Sequence, residues 1–138
     1  MKVLIDTNIL VSAFLHPGST PYKAFYKAVT WPHSGILCDQ NVDELRRIFN
    51  RKFPEKIGAM ETFLSLTLMT VELVPVPMLE EDDESKVRDV KDRPILRATI
   101  YAGADILLTG DKDFLEAGID YPKCLSPAEF LLMDSQKQ

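Results

Sequence analysis

Short unbroken apolar runs alternate along this chain with longer stretches in which apolar residues recur every three or four positions. The first run, Val3 to Ile5, breaks at Asp6; a run this short, without alternation, suits a strand buried on both faces. Thr20-Pro21 supplies a hydroxyl N-cap and a proline at the first helical position, which predicts a helix through YKAFYKAV that stops before Pro32. GILCD (35–39) reads as a second strand, again ending on an aspartate. After it, Val42, Leu45, Ile48 and Phe49 repeat at helical spacing, and a further amphipathic helix follows Pro54, with Ile57, Met60, Phe63 and Leu64 on its apolar side.

VELVPV (71–76) is a third strand, and its Pro75 fits a sheet edge better than a central place. From Asp92, DRPILRATIYAG predicts a helix with an aspartate cap, proline in its first turn and Gly103 at its end. DILLTGD (105–111) is the fourth strand. Ser126 and Glu129 frame a capping box with Pro127 at the first helical position, opening a terminal helix through FLLM. Strands therefore alternate with helices, which predicts an α/β fold with a mainly parallel central sheet and helices on both faces. No repeat, low-complexity tract or linker divides the 138 residues, so one domain over 1–138 is expected.

Composition narrows the picture. A hydrophobic content of 46% matches an ordinary globular core. No apolar run approaches the ~20 residues that span a bilayer, and Asp6 interrupts the N-terminus too early for a signal peptide, so a cytoplasmic location is expected. Cys38 and Cys124 have no metal-ligand spacing and read as buried free thiols. The net charge of −5 argues against a general nucleic-acid binder. Its distribution is uneven, however: residues 80–84 are EEDDE, most simply a solvated loop or helix start, whereas 46–56 carries Arg46, Arg47, Arg51, Lys52 and Lys56.

Ligands of open parallel sheets bind beyond the carboxyl ends of the strands, where strand order reverses. Asp6 follows the first strand, and Asp111 and Asp113 follow the fourth; if those strands are neighbours, their acids meet. Asp92 starts the helix leading into the fourth strand, and Glu44 lies early in the helix after the second. Each has an ordinary alternative: Asp6 and Asp39 as turn caps, Asp92 as an N-cap, Asp113 as a turn residue, Glu44 as a solvated helix position. Together, acids held close would raise one another's pKa unless compensated. The two histidines, His16 and His33, are not spaced as ligands. An oxygen-only donor set matches Mg²⁺ or Mn²⁺ rather than zinc.

Ile5-Asp6-Thr7-Asn8, Glu44 in NVDELRRIFNRKF, Asp92 in DRPILRAT and Asp111 in TGDKDF resemble, in order, the motifs of the PIN-domain nucleases. The similarity runs from residue 1 to about 130, and the TGDKDF form is most like the VapC-like toxins of prokaryotic toxin–antitoxin pairs. The resemblance implies a three-layer PIN-like fold and a Mg²⁺- or Mn²⁺-dependent endoribonuclease. It implies Asp6, Asp92 and Asp111 as direct cation ligands, with Glu44 and Asp113 serving a second ion or acting through water. Asp89, three residues before Asp92, remains an alternative third ligand. Thr7, Asn8 and Thr109 have the chemistry to orient carboxylates. Arg47 and Arg51 share a helix face with Glu44, where they could hold the phosphates of an RNA strand or merely pair with surface acids. A small antitoxin occluding the cleft and pairing as a homodimer are also expected of such domains. Two other readings fit the bare pattern: a haloacid-dehalogenase-like phosphatase, which needs an acid where Asn8 stands, and a non-cleaving PIN-fold binding module.

Overall fold

The computed structural model describes residues 1–133; the last five residues of the expected 1–138 domain lie outside the described part. Five strands form one sheet: β1 (Lys2–Ile5), β2 (Ser34–Cys38), β3 (Glu72–Val74), β4 (Ile106–Leu108) and β5 (Lys123–Leu125). Their order is β3-β2-β1-β4-β5 and every pairing is parallel. The chain thus builds outward from β1 through β2 to β3, returns to β4 on the other side of β1, and finishes at β5. Strand order reverses between β1 and β4, which pair with Ile5 opposite Leu108.

β1 is central, and Val3, Leu4 and Ile5 are all fully buried, as its lack of alternation predicts. Its side chains divide between two cores. Val3 and Ile5 join Leu37, Ile106 and Leu108 beneath α1 (Thr7–Leu15), α2 (Thr20–Ala28), α3 (Asp39–Lys52), α4 (Ile57–Leu68) and α7 (Pro127–Leu132). Leu4 joins Ile36, Cys38, Val74 and Leu107 on the other face, under α5 (Arg93–Tyr101) and Phe114 of the short α6 (Lys112–Leu115). Two helical layers therefore sandwich the sheet. No helix among the described residues is long and apolar enough to cross a membrane.

Several sequence expectations need correction. α1 was not anticipated: its Thr7, Ile9, Leu10 and Ala13 are buried, and the apolar run after Asp6 reads as helix only once Asp6 is seen as its N-cap. The cap of α2 is Ser19, not Thr20, whose hydroxyl stands one residue inside the helix with Pro21 next to it. The third strand shrinks to three residues and does lie at the edge, with Pro75 just beyond it. The fourth also spans only three, Ile106–Leu108; the Thr109 amide still bonds to the Leu125 carbonyl at 3.0 Å, and the Gly110 amide turns to the Asn8 side chain. β5 has a single apolar run of two residues, too weak a signal to read, yet it pairs with β4 in register from Lys123 to Leu125. Cys38 is a buried free thiol, whereas Cys124 is only half-buried.

The EEDDE run is not uniformly solvated. It enters a 3-10 turn, Asp82–Lys86, whose Glu84 is only 4% exposed. Arg97 of α5 closes on Glu84 through two bonds, Nε at 3.0 Å and Nη2 at 2.8 Å, and donates Nη1 to the Pro77 carbonyl at 2.9 Å. The pairing holds the Glu84 carboxyl below its ordinary pKa, the hydrogen bonds from Arg97 outweighing burial. A buried pair is most costly when half of it is removed, since the partner stays charged and dry. Arg97→Met is expected to destabilise the fold by about 3–5 kcal/mol in urea unfolding. Glu80→Gln, which removes an exposed partner 3.9 Å from Arg97, is expected to change stability by less than about 1 kcal/mol.

Candidate metal centre

The parallel pairing of β1 with β4 sets Asp6 and the Thr109–Asp111 turn side by side at the switch point of the sheet. Asp6 stands at the N-cap of α1, where its Oδ1 accepts from the Thr7 amide at 2.8 Å. Its Oδ2 accepts from the Thr109 hydroxyl at 2.8 Å, and the same hydroxyl oxygen accepts from the Asp111 amide at 3.0 Å. One side chain therefore fixes the first acid and the backbone of the fourth. Asn8 adds a second tie, its Oδ1 accepting from the Gly110 amide at 3.3 Å. Asp111 caps α6 by accepting from the Asp113 amide at 2.9 Å.

α3 brings in the helical glutamate. Gln40 donates one amide group to Glu44 Oε1 at 2.9 Å and to the Lys91 carbonyl at 3.1 Å, so it ties Glu44 to the turn that carries Asp89 and Asp92. Asn41, fully buried, accepts from the Cys38 amide at 3.1 Å and donates to the Thr7 hydroxyl at 3.0 Å. The end of β2 is thus linked through Asn41 and Thr7 to Asp6.

The third acid arrives on the 3-10 turn Val90–Asp92 before α5. Asp92 occupies the N-cap position of α5 but makes no capping bond, so the simple capping role is not the one it plays. Capping of the preceding turn falls to Asp89, whose Oδ1 accepts from the Lys91 amide at 3.0 Å. Asp92 instead faces Asp111, with which its carboxyl shares a hydrogen bond only when protonated, and it feels the charges of Asp111, Asp89 and Asp6. Asp89 and Asp92 are accordingly not exclusive alternatives. Among the described residues, Asp89, Asp92 and Asp113 each offer one carboxylate oxygen, and these three atoms lie within 4.8 Å of one another.

Burial and crowding leave their mark on proton affinity. The Asp6 carboxyl is pushed up to about 6, mainly by burial, with Glu44 and Asp111 adding to the rise and the Thr109 and Thr7 hydrogen bonds opposing it. Asp92 is pushed up to about 7, by burial first, then by its hydrogen bond to Asp111 and the charges around it. These shifts mark carboxylates short of positive charge. The donors are all oxygens, no histidine or thiolate is among them, and their spacing suits a hard divalent ion. A cation such as Mg²⁺ or Mn²⁺ would fit this set.

Beside the acids opens a cleft of about 670 Å³, lined by Gln40, Glu44, Arg47, Arg51, Asp89 and Asp92 among others. Arg47 and Arg51 are exposed there, and neither makes an ion pair among the described residues, with Glu44 or any other acid. Asp6 and Asp111 do not line this cleft; they follow β1 and β4, and their charges are felt by Asp92, which does line it. Asp113 is partly exposed and carries its own counterion, Arg88. Sequence reasoning missed Gln40, Asn41 and Arg88. The spacing of Gln40 and Glu44, four apart on one helix, was a usable signal; the other two depend on contacts between remote segments.

A family model described as "PIN domain" matches residues 2–113. Among curated proteins, none matches significantly. Among solved structures, VapBC2 from Rickettsia felis bound to a DNA fragment from its promoter is similar, with TM-score 0.69, 15% identity, and coverage of 91% of this chain and 98% of that one. FitAB bound to a DNA fragment gives TM-score 0.66, 17% identity, and 96% and 99% coverage. VapC20 from Mycobacterium tuberculosis, a sarcin-ricin loop cleaving toxin, gives TM-score 0.59, 17% identity, and 85% and 95% coverage. These likenesses establish the shared fold, including the three-layer α/β arrangement.

Both carboxyls titrate higher in the folded chain than their ordinary 3.8, so folding takes up protons at these positions. The stability they contribute is present below about pH 4 and is lost as pH rises toward 7 and both ionise. In cation-free protein at pH 8, Asp92→Asn is therefore expected to be more stable than wild type by about 1–2 kcal/mol, allowing for solvent screening. The two are expected to converge near pH 4 in thermal melts run with a chelator, and MnCl₂ is expected to stabilise wild type more than the variant at pH 8.

Proposed function

This chain belongs to the PIN-domain family, and from that premise we propose that it is a divalent-metal-dependent endoribonuclease acting on single-stranded RNA as the toxin of a toxin–antitoxin pair. What supports the reading is that Asp6, Asp92 and Asp111 feel one another's charge beyond the β1–β4 switch point, which together with burial drives two of the three carboxyls toward neutral pKa. Such a group is unfavourable for stability in isolation and gains a purpose when it holds a cation. Asp6, Asp92 and Asp111 are the ligands proposed for the ion, with Glu44, Asp113 and Asp89 at its margin. When bound, Mg²⁺ or Mn²⁺ supplies an activated water and charge neutralisation at the phosphorus centre.

The chain's own residues do the rest. Thr109 and Thr7 hold both Asp6 oxygens in fixed directions, and Gln40 holds Glu44, so the carboxylates need little reorganisation. Asn8 sits against Gly110 and stiffens the turn before Asp111. Arg47 and Arg51, without protein partners of their own among the described residues, project along the cleft at the spacing of one and two helical turns from Glu44 and hold the phosphates that flank the scissile bond. Phosphate binding by these two side chains offsets an acidic surface that would otherwise repel RNA. The activity named for the Mycobacterium tuberculosis neighbour, and the toxin–antitoxin complexes among the similar structures, support RNA as substrate and a small antitoxin as partner. Pairing of two copies belongs to the same proposal. A dehalogenase-like phosphatase is disfavoured because position 8, two residues after Asp6, is an amide engaged with Gly110.

With single-stranded RNA and Mn²⁺ or Mg²⁺, wild type is expected to cut, and a chelator to abolish cutting. Thr109→Val is expected to lose about 10–100-fold in rate, with Asp6→Asn and Asp111→Asn losing more. Equal cleavage by all four proteins would remove the nuclease assignment.

A further inference from the structure

Arg88 stands directly before Asp89 and reaches across to the turn after β4. Its Nε and Nη2 both engage Asp113 Oδ1, at 3.1 and 3.0 Å, and its Nη2 lies 3.6 Å from Glu116. The guanidinium is thus bound to one member of the close trio Asp89, Asp92 and Asp113 and is attached by the backbone to another. Among the described residues it is the cation in an ion pair with this trio, and at 67% side-chain exposure it is free to leave. An exposed ion pair of this kind is weak enough to be exchanged.

We infer that Arg88 is a tethered counterion that competes with a divalent cation for Asp113 and so governs loading of the Asp89–Asp92–Asp113 trio. The inference rests on the proposed metal site and concerns its second, outer part rather than Asp6 and Asp111. The guanidinium neutralises one of three formal negative charges before a metal enters the trio. A divalent ion arriving between the same oxygens meets a positive charge only a few ångströms away, and both cannot hold Asp113 at full strength. Loading therefore requires the arginine to swing off Asp113. Once off, a long and exposed side chain with five N–H donors, carried on the residue before Asp89, which lines the same cleft as Arg47 and Arg51, is available to a phosphodiester. Metal occupancy and grip on the RNA backbone become linked through one residue.

The alternative role for the same contact is a brace, in which Arg88 holds Asp113 in the orientation the ion needs. The two roles predict opposite signs. Mn²⁺ binding by wild type, Arg88→Gln and Arg88→Lys, followed by the paramagnetic signal of free Mn²⁺ at fixed pH and ionic strength, separates them without recourse to activity. Competition predicts that Arg88→Gln binds its more weakly held Mn²⁺ about tenfold more tightly than wild type, while Arg88→Lys, which keeps the charge, stays within about threefold of wild type. Unchanged or weaker binding by Arg88→Gln, with wild type binding well, overturns the inference and leaves the metal site standing. No Mn²⁺ binding by any of the three proteins overturns the metal site and this inference with it.

Discussion

A desolvated carboxylate at the end of the central strand is the constraint around which this molecule is arranged. β1 is covered on both faces and flanked on both edges, so the residue after Ile5 emerges into a dry corner. The chain places an acid there, and the consequences spread outward. Asp6 must be hydrogen-bonded, and both its oxygens are. Thr109 must then stand opposite, which fixes where β4 stops. Asp111 must come within two residues, because the Thr109 hydroxyl also receives its amide. Asn41, Thr7 and Cys38 extend the same chain of bonds to the end of β2. Residues of three strands are thereby aligned by one buried charge.

Much of this arrangement was legible in the sequence, and the reasons are local. The apolar triplet before Asp6, the helical repeat Val42–Leu45–Phe49 and the capping box at Ser126 each carry their structure in neighbouring residues, and each folds accordingly. Elements decided by remote contacts were not legible. α1 follows β1 after a single residue, with no cap signal beyond Asp6 itself, and β5 owes its place to β4 rather than to any pattern of its own. For the site, the positions of Asp6 and Asp111 followed from strand ends, whereas the approach of Asp113 to Asp89 required knowing how the turn before α5 lies over α6.

Charge in this protein is segregated more sharply than its net value suggests. The acids that crowd the sheet edge sit beside two arginines of α3 that have no ion-pair partner among the described residues, while Arg46 of the same helix turns away to pair with Glu61 of α4 at 3.0 Å. A single helix thus offers one face to the protein's own acids and another to an anionic partner. That is how a chain of net charge −5 can present a cationic strip where it is useful.

The crossover from β3 to α5 is fastened at Pro77 and Glu84, both held by Arg97, and between those two points the chain makes little commitment to the core. Met78 and Leu79 are almost wholly open to solvent. Glu81, Asp82 and Asp83 open the 3-10 turn that presents Glu84. Because the fastening lies upstream of Arg88, Asp89 and Asp92, however, the exposed stretch from 78 to 80 can be rewritten without shifting those three residues. Such a segment is a natural place for lineages to diversify their surface, or for an engineer to graft a tag, while the anchored chemistry downstream keeps its shape.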